Sequence, residues 1–171
     1  MLVEMLSNDH ILSTHCNCVI IIMSNLDEID KKIIHEYLHD GRLSYREVAK
    51  RINVAVGTVM TRTKRMEASG VIMGYTALLN HEKLGYELTV MMELVVSKGR
   101  LVDVESEVSK MHMTCAVYDI TGLTDALVIA KFKNSKDLSA FTKKLLAMPF
   151  VERTNTHVVL SSVKEDFRLL P

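Results

Sequence analysis

Residues Arg42–Arg65 read RLSYREVAKRINVAVGTVMTRTKR, and this stretch decides the fold of the first half of the chain. Two helical patterns meet at a tight turn within it. Ser44-Tyr45-Arg46-Glu47 has the spacing of a capping box, in which a hydroxyl and a carboxylate three residues apart satisfy each other's backbone amides. Val48, Ala49 and Ile52 then supply the apolar face of a short helix. Asn53 follows at the turn, and asparagine is among the few residues besides glycine that accept a left-handed conformation readily. A further helix is expected from about Val56 to Ala68, with Val56, Val59, Met60 and Met66 on its apolar side and Thr63 between them. Its other side carries Thr58, Thr61, Arg62 and Arg65 at i, i+3, i+4 and i+7, which aligns four polar side chains in one stripe.

Charge is concentrated in the same stretch. It holds seven basic residues (Arg42, Arg46, Lys50, Arg51, Arg62, Lys64, Arg65) against the single acid Glu47, although the whole chain is formally neutral. A basic patch on a neutral protein points to a surface for phosphates rather than to general stickiness. Gly57, Thr58, Thr61 and Arg62 are the expected approaches to base edges of double-stranded DNA. Arginine can make a paired hydrogen bond to guanine, and a threonine methyl can meet that of thymine. Arg42, Arg46, Lys50, Arg51, Lys64 and Arg65 are expected to hold phosphates and set register. A solvated helix face is the competing account of such a stripe. The lack of any acid within it, after two capped helices at helix-turn-helix spacing, favours DNA.

Outward from this motif, the pattern stays readable in both directions. Leu26, Ile29, Ile33, Ile34, Tyr37 and Leu38 form one face of a preceding helix, with Asp27 as N-cap, Asp30 in the first turn and Asp40-Gly41 as its end. Ser69-Gly70 stops the third helix, Val71–Asn80 reads as a strand, and His81–Tyr86 with Gly85 reads as a hinge. Leu88, Val90, Met92, Leu94 and Val96 then alternate strictly, the mark of a strand with one strongly apolar face. The helical stripe Leu101, Val104, Val108, Met111 returns 37 positions later as Leu138, Phe141, Leu145, Met148. Strand-like segments Glu87–Ser97 and Cys115–Thr121 flank the first stripe, and Asp125–Phe132 and Val151–Ser162 flank the second. This is the βαββαβ order of a ferredoxin-like sandwich, so the chain is α+β. Helices cover one face of such a sheet. The other face, if apolar, needs a partner, so oligomerisation is expected.

Bulk composition narrows the class. A chain of 171 residues fits one ordinary domain or two small ones. The expected division is 1–23 as an extension, 24–80 as the helix-turn-helix with its linking strand, 81–86 as the hinge and 87–171 as the second domain. An apolar content of 48% excludes disorder over most of the length. The three cysteines (Cys16, Cys18, Cys115) are too few for a disulfide framework and favour a reducing, cytoplasmic setting. No apolar run approaches the ~20 residues of a membrane helix. Cys16-Asn17-Cys18 beside His10 and His15 matches metal-ligand spacing only weakly, and no metal or cofactor is expected. Residues 1–23 read best as an appended or mis-started segment, with Met23 as the natural initiator. Asp125, His112, His157 and Cys115 do not form a nucleophile–base set, so an enzyme is not expected.

With these elements in place, the chain resembles the Lrp/AsnC, or feast/famine, family of prokaryotic transcription regulators. The resemblance is carried by residues 26–34 (LDEIDKKII), 40–49 (DGRLSYREVA), Thr58-Val59, Arg62, Lys64–Glu67, Gly70–Ile72, Gly74-Tyr75 and Leu84-Gly85. In the second half it is carried by Thr121-Gly122 with Asp125, and by Thr154 and Thr156 ahead of Val159-Leu160. It implies an N-terminal winged-type helix-turn-helix joined to an effector domain. It further implies homodimers that associate into tetramers or octamers, and an amino acid or related small molecule bound between dimers. By position, the effector loop is Thr121, Gly122, Leu123, Thr124 and Asp125, with Thr154 and Thr156 nearby. Gly122 would let backbone amides approach a carboxylate, Asp125 could pair an ammonium, and the threonine hydroxyls could orient either. An ordinary turn with Asp125 bonded to its own backbone is the competing account of this loop.

Two departures from the family pattern stand out. Leu123 and Thr124 occupy places where the family often has an acid and an aromatic residue. Ala55-Val56-Gly57 replaces the serine cap and proline common at the start of the third helix, removing a cap worth about 1 kcal/mol. Gly57 weakens the first turn by up to ~1 kcal/mol more. The expected function is a sequence-specific regulator; an architectural DNA-binding protein of low specificity is the alternative.

Overall fold

The computed structural model describes residues 26–169 and 171. The extension 1–23, with its cysteines and histidines, lies outside the described residues. Contacts divide the described chain into two units: Leu79–Val163, and residues 26–78 together with Lys164–Pro171.

The helical unit is built from α1 (Glu28–His39), α2 (Tyr45–Ile52) and α3 (Val56–Ala68). Local chemistry sets each boundary. The Asp27 carboxylate accepts from the amides of Ile29 and Asp30, and the Asp30 carboxylate accepts in turn from the Asp27 amide. Ser44 and Glu47 form the second reciprocal box, the Ser44 amide donating to Glu47 Oε2 at 2.8 Å. Asn53 takes φ 56° and ψ 54°, the left-handed turn between α2 and α3. Ala55, by contrast, offers α3 no side-chain cap. Ile33, Val48, Ala49, Val59 and Met66 fill the core, with Ile29, Tyr37, Ile52 and Val71 packed around them.

Two features of this unit differ from the sequence expectation. Val56 and Met60, read as core, are 44% and 40% exposed. The buried spine of α3 is Val59, Thr63 and Met66, so the helix is turned from the expected orientation. Residues 71–80, read as a strand, form no strand ladder among the described residues. An isolated extended segment has no ladder to satisfy its amides and carbonyls, and strand-like composition alone supplies none. Tyr75 instead packs edge-on against Tyr37 at 5.3 Å and donates its hydroxyl to Glu67 at 2.9 Å. At 81–86 a short 3-10 turn, Glu82–Leu84, is closed by Gly85 at φ 83°, a conformation that favours glycine.

The second unit is a four-stranded antiparallel sheet of β1 (Leu88–Val96), β2 (Thr114–Asp119), β3 (Ala126–Phe132) and β4 (Val151–Val158), in the order β2-β3-β1-β4. Helices α4 (Leu101–Ser109) and α5 (Ser135–Leu146) follow β1 and β3, completing the expected βαββαβ order. Val90, Met92 and Leu94 stand in register with Ala130, Val128 and Ala126, and all six are buried. Val104, Val108, Phe141 and Leu145 from the repeated stripe cover them, with Phe141 edge-on to Phe132 at 5.1 Å. Each such side chain contributes about 1.5–3 kcal/mol by leaving water. The opposite face is mixed: Met91, Leu127, Ile129 and Tyr118 share it with Glu93, Asn155, His157 and Lys131. Lys131 is buried there, its ammonium donating to Thr89 at 3.2 Å.

The end of the chain belongs to the helical unit. Lys164–Pro171 groups with α1–α3, whereas the sequence pattern places 87–171 in one domain. Arg168 forks onto Asp166 at 2.8 and 2.9 Å and donates to the carbonyl of Leu38, in the last turn of α1, at 3.2 Å. A cation at that position complements the negative end of the helix dipole.

Candidate nucleic-acid interface

The turn of α3 has an electrostatic cause. Asp30 lies on the apolar side of α1 and is 0% exposed, and a buried carboxylate requires cationic partners. Arg62 Nη1 reaches Asp30 Oδ1 at 3.0 Å and also bonds Asp27, while Arg65 Nη2 takes the other oxygen of Asp30. The Arg62 guanidinium holds the Asp27 carboxyl down at about 2. The two capping carboxylates of α1 and two arginines of α3 thus form one cluster spanning more than thirty residues of sequence.

This cluster engages Arg62, which the sequence places at base edges. Its side chain is only 24% exposed and points to α1, not outward. Arg65 is also engaged, although more than half exposed, and Arg51 bonds Glu36 at 3.0 Å. Thr58 is half-buried. The outward row of α3 is therefore Gly57, Met60, Thr61 and Lys64, again at i, i+3, i+4 and i+7 but displaced by one residue from the expected stripe. Arg46 and Lys50, one turn apart on α2, are exposed and make no ion pair among the described residues, and the same holds for Lys64. Arg42 projects into solvent beside Asp40 at 3.1 Å. A cation bound to a neighbouring carboxylate can still reach a phosphate, whereas Arg62 can do so only by leaving buried Asp30 to Arg65 alone.

Sequence reading placed Asp30 in the first turn of α1 but missed its burial and its arginine partners. The signal was present, since an acid at that place interrupts the Ile29–Ile33 face and calls for a distant cation. It named Tyr75 but missed its bond to Glu67; burial and that carboxylate push the phenol up.

The loop between β2 and β3 is organised by Asp125. Its amide donates to the Leu94 carbonyl at 2.9 Å, its carbonyl accepts from Ile120 at 3.0 Å, and its Oδ2 accepts the Val96 amide at 2.8 Å. The carboxylate thus finishes the ladder of the central strand where β3 ends. It bonds the backbone of β1 rather than its own, unlike the ordinary turn expected as the competing account. Gly122 has φ 134°, a region strained for any residue with a side chain, and Leu123 at the tip is exposed. Thr154 stands opposite Leu94 and Thr156 opposite Met92 on the far side of β1. Two strand spacings, about 10 Å, separate Thr154 from Ala126 in the same row. Thr121 and Thr124 flank the tip. His112, Cys115, His157 and Asp125 are not brought together; His157 instead lies beside Asn155 and Glu93. No group of three or more potential metal ligands occurs among the described residues, and no helix among them is long and apolar enough to cross a membrane.

Comparison with known proteins supports both halves. Residues 26–73 match the winged helix-turn-helix DNA-binding family model, and residues 89–169 match the Lrp/AsnC ligand binding domain. An uncharacterised HTH-type transcriptional regulator of Pyrococcus abyssi is 51% identical over 146 residues, spanning 85% of this chain and 99% of that protein. The leucine-responsive regulatory protein of Klebsiella pneumoniae is 34% identical over 153 residues, 85% of this chain and 92% of its own. Among solved structures, a Neisseria meningitidis transcriptional regulator in complex with L-methionine superposes with a TM-score of 0.78 at 27% identity, covering 84% of this chain and 96% of that one. With the capped three-helix unit, the βαββαβ sheet and relatives matched nearly end to end, the chain belongs to the Lrp/AsnC family of helix-turn-helix transcription regulators and is a DNA-binding regulator with a ligand-binding domain, not an enzyme.

Proposed function

We infer that this regulator recognises particular DNA sequences, as a dimer or a larger assembly, and that a small molecule of the amino-acid class modulates it. The observation that carries the first part is the outward row Gly57, Met60, Thr61, Lys64 on α3, accompanied by the exposed cations Arg46 and Lys50 on α2. α3 enters the major groove, and Arg42, Arg46, Lys50 and Lys64 hold phosphates. Dimers read two half-sites spaced by whole helical turns. Mobility shifts against fragments of the host genome across a salt series test this. Discrete high-affinity fragments are expected; equal binding to all fragments would support the architectural alternative instead.

The effector reading rests on the loop 121–125 and on the Neisseria relative solved with L-methionine. Gly122 exposes backbone amides to a carboxylate, Thr121 and Thr124 offer hydroxyls, and Asp125 keeps Oδ1 for an ammonium while Oδ2 holds Val96. β1 separates Thr154 and Thr156 from the loop of their own chain, so they join the site only as residues of a neighbouring copy. Titrating L-methionine and other amino acids while following sedimentation and DNA affinity tests it; no change with any of them would remove the effector from the proposal.

A further inference from the structure

The rotation of α3 changes the chemistry it offers to a base pair, provided that α3 is the helix that reads DNA sequence as proposed. Val56 and Met60, four residues apart, are neighbours on the helix surface and both are exposed. Beside them the backbone is bare at Gly57, where an added Cβ would meet nothing within 4 Å. Thr61, Lys64 and Arg65, the last bonded to Asp30, complete the outward surface. Arg62, the residue able to grip guanine with two hydrogen bonds, is committed to Asp27 and Asp30. Neither asparagine nor glutamine stands on α3 to pair with adenine.

What remains is mainly methyl-bearing: Val56, Met60 and the γ-methyl of Thr61. In the major groove the matching feature of a base pair is the C5-methyl of thymine. Isolated exposed apolar side chains are common on protein surfaces. Here the pair stands on the helix that succeeds two capped helices in a DNA-binding unit, next to a backbone with no side chain to hold the groove away. We propose that α3 reads its half-site through thymine methyl groups, with Val56 and Met60 packed on thymines beside the bare Gly57 backbone and Lys64 anchored to a phosphate beyond them.

The test begins by selecting half-sites from random DNA with the full-length protein. The best sites are then resynthesised with deoxyuridine replacing thymine one position at a time. Uracil pairs as thymine does and lacks only the methyl group, so the protein itself is untouched. The enriched half-sites should carry thymines under α3, and each methyl removed there should weaken binding about four-fold. Met60→Ala, at an exposed position outside the core, should bind the thymine and uracil forms of one position equally. Enriched sites indifferent to uracil at every thymine would overturn methyl readout while leaving sequence recognition intact. A library that enriches nothing would overturn both.

Discussion

The helical unit and the sheet unit are held together by different forces. In the sheet, rows of valine, leucine, methionine and phenylalanine from β1 and β3 meet the repeated stripes of α4 and α5. In the helical unit a smaller apolar core is supplemented by one buried acid, Asp30, with two arginines closing over it. Apolar packing tolerates changes in the turn of a helix as long as volume is filled. An arginine–carboxylate pair is directional, so it specifies which residues of α3 face outward. In the DNA-binding unit, the orientation of α3 is thus fixed by charge.

Substitutions can break this contrast unit by unit. Phe132→Ala should have the largest effect, costing about 4 kcal/mol and melting the sheet unit, because the ring is fully buried against Phe141. Hydrogen exchange should then show protection lost in β1 and β3 but retained in α1–α3; loss in both would show that the two units unfold as one. Asp30→Ala should cost about 3 kcal/mol in the helical unit, since it strips Arg62 and Arg65 of their buried partner. DNA affinity should fall with it, and exchange in the sheet should not change.

Acid separates the units without mutation. The Asp27 carboxyl is lowered to about 2 from its ordinary 3.8. A depressed carboxyl stabilises the fold above its unfolded value and loses that contribution as pH falls through the folded one. The helical unit should therefore lose stability from about pH 4 to pH 2, monitored by exchange or tyrosine signals from Tyr37 and Tyr75, ahead of the sheet. Simultaneous loss would mean the contrast in forces is not a contrast in stability. The smallest expected effect is a gain. Gly57→Ala should stabilise α3 by up to about 1 kcal/mol, because the position is helical and open. No rise in melting temperature would mean that the uncapped first turn is not formed in free protein.

Local chemistry is legible in the sequence, and long-range pairing is not. The cap at Asp27, the box at Ser44–Glu47 and the left-handed Asn53 involve neighbours within three residues, so spacing alone reveals them. The alternation of β1 and the echo of α4 in α5 are readable because a repeated period needs no partner to be seen. The rotation of α3 is hidden, because Val56 and Met60 look like core residues to any count of apolar periodicity. What turns the helix is Asp30, thirty-two residues from Arg62. Asp125 is similar: its partner is the Val96 amide, twenty-nine residues away. The segment 71–80 has strand-like composition, but a strand is a relation between two segments, and one segment cannot announce it.

The return of the chain end to α1 has a practical side. Arg168 contacts the Leu38 carbonyl, so whatever is fused after Pro171 emerges beside the DNA-binding helices. An affinity tag placed there starts beside the last turn of α1, and a comparison of tagged and cleaved protein belongs in any measurement of its DNA affinity.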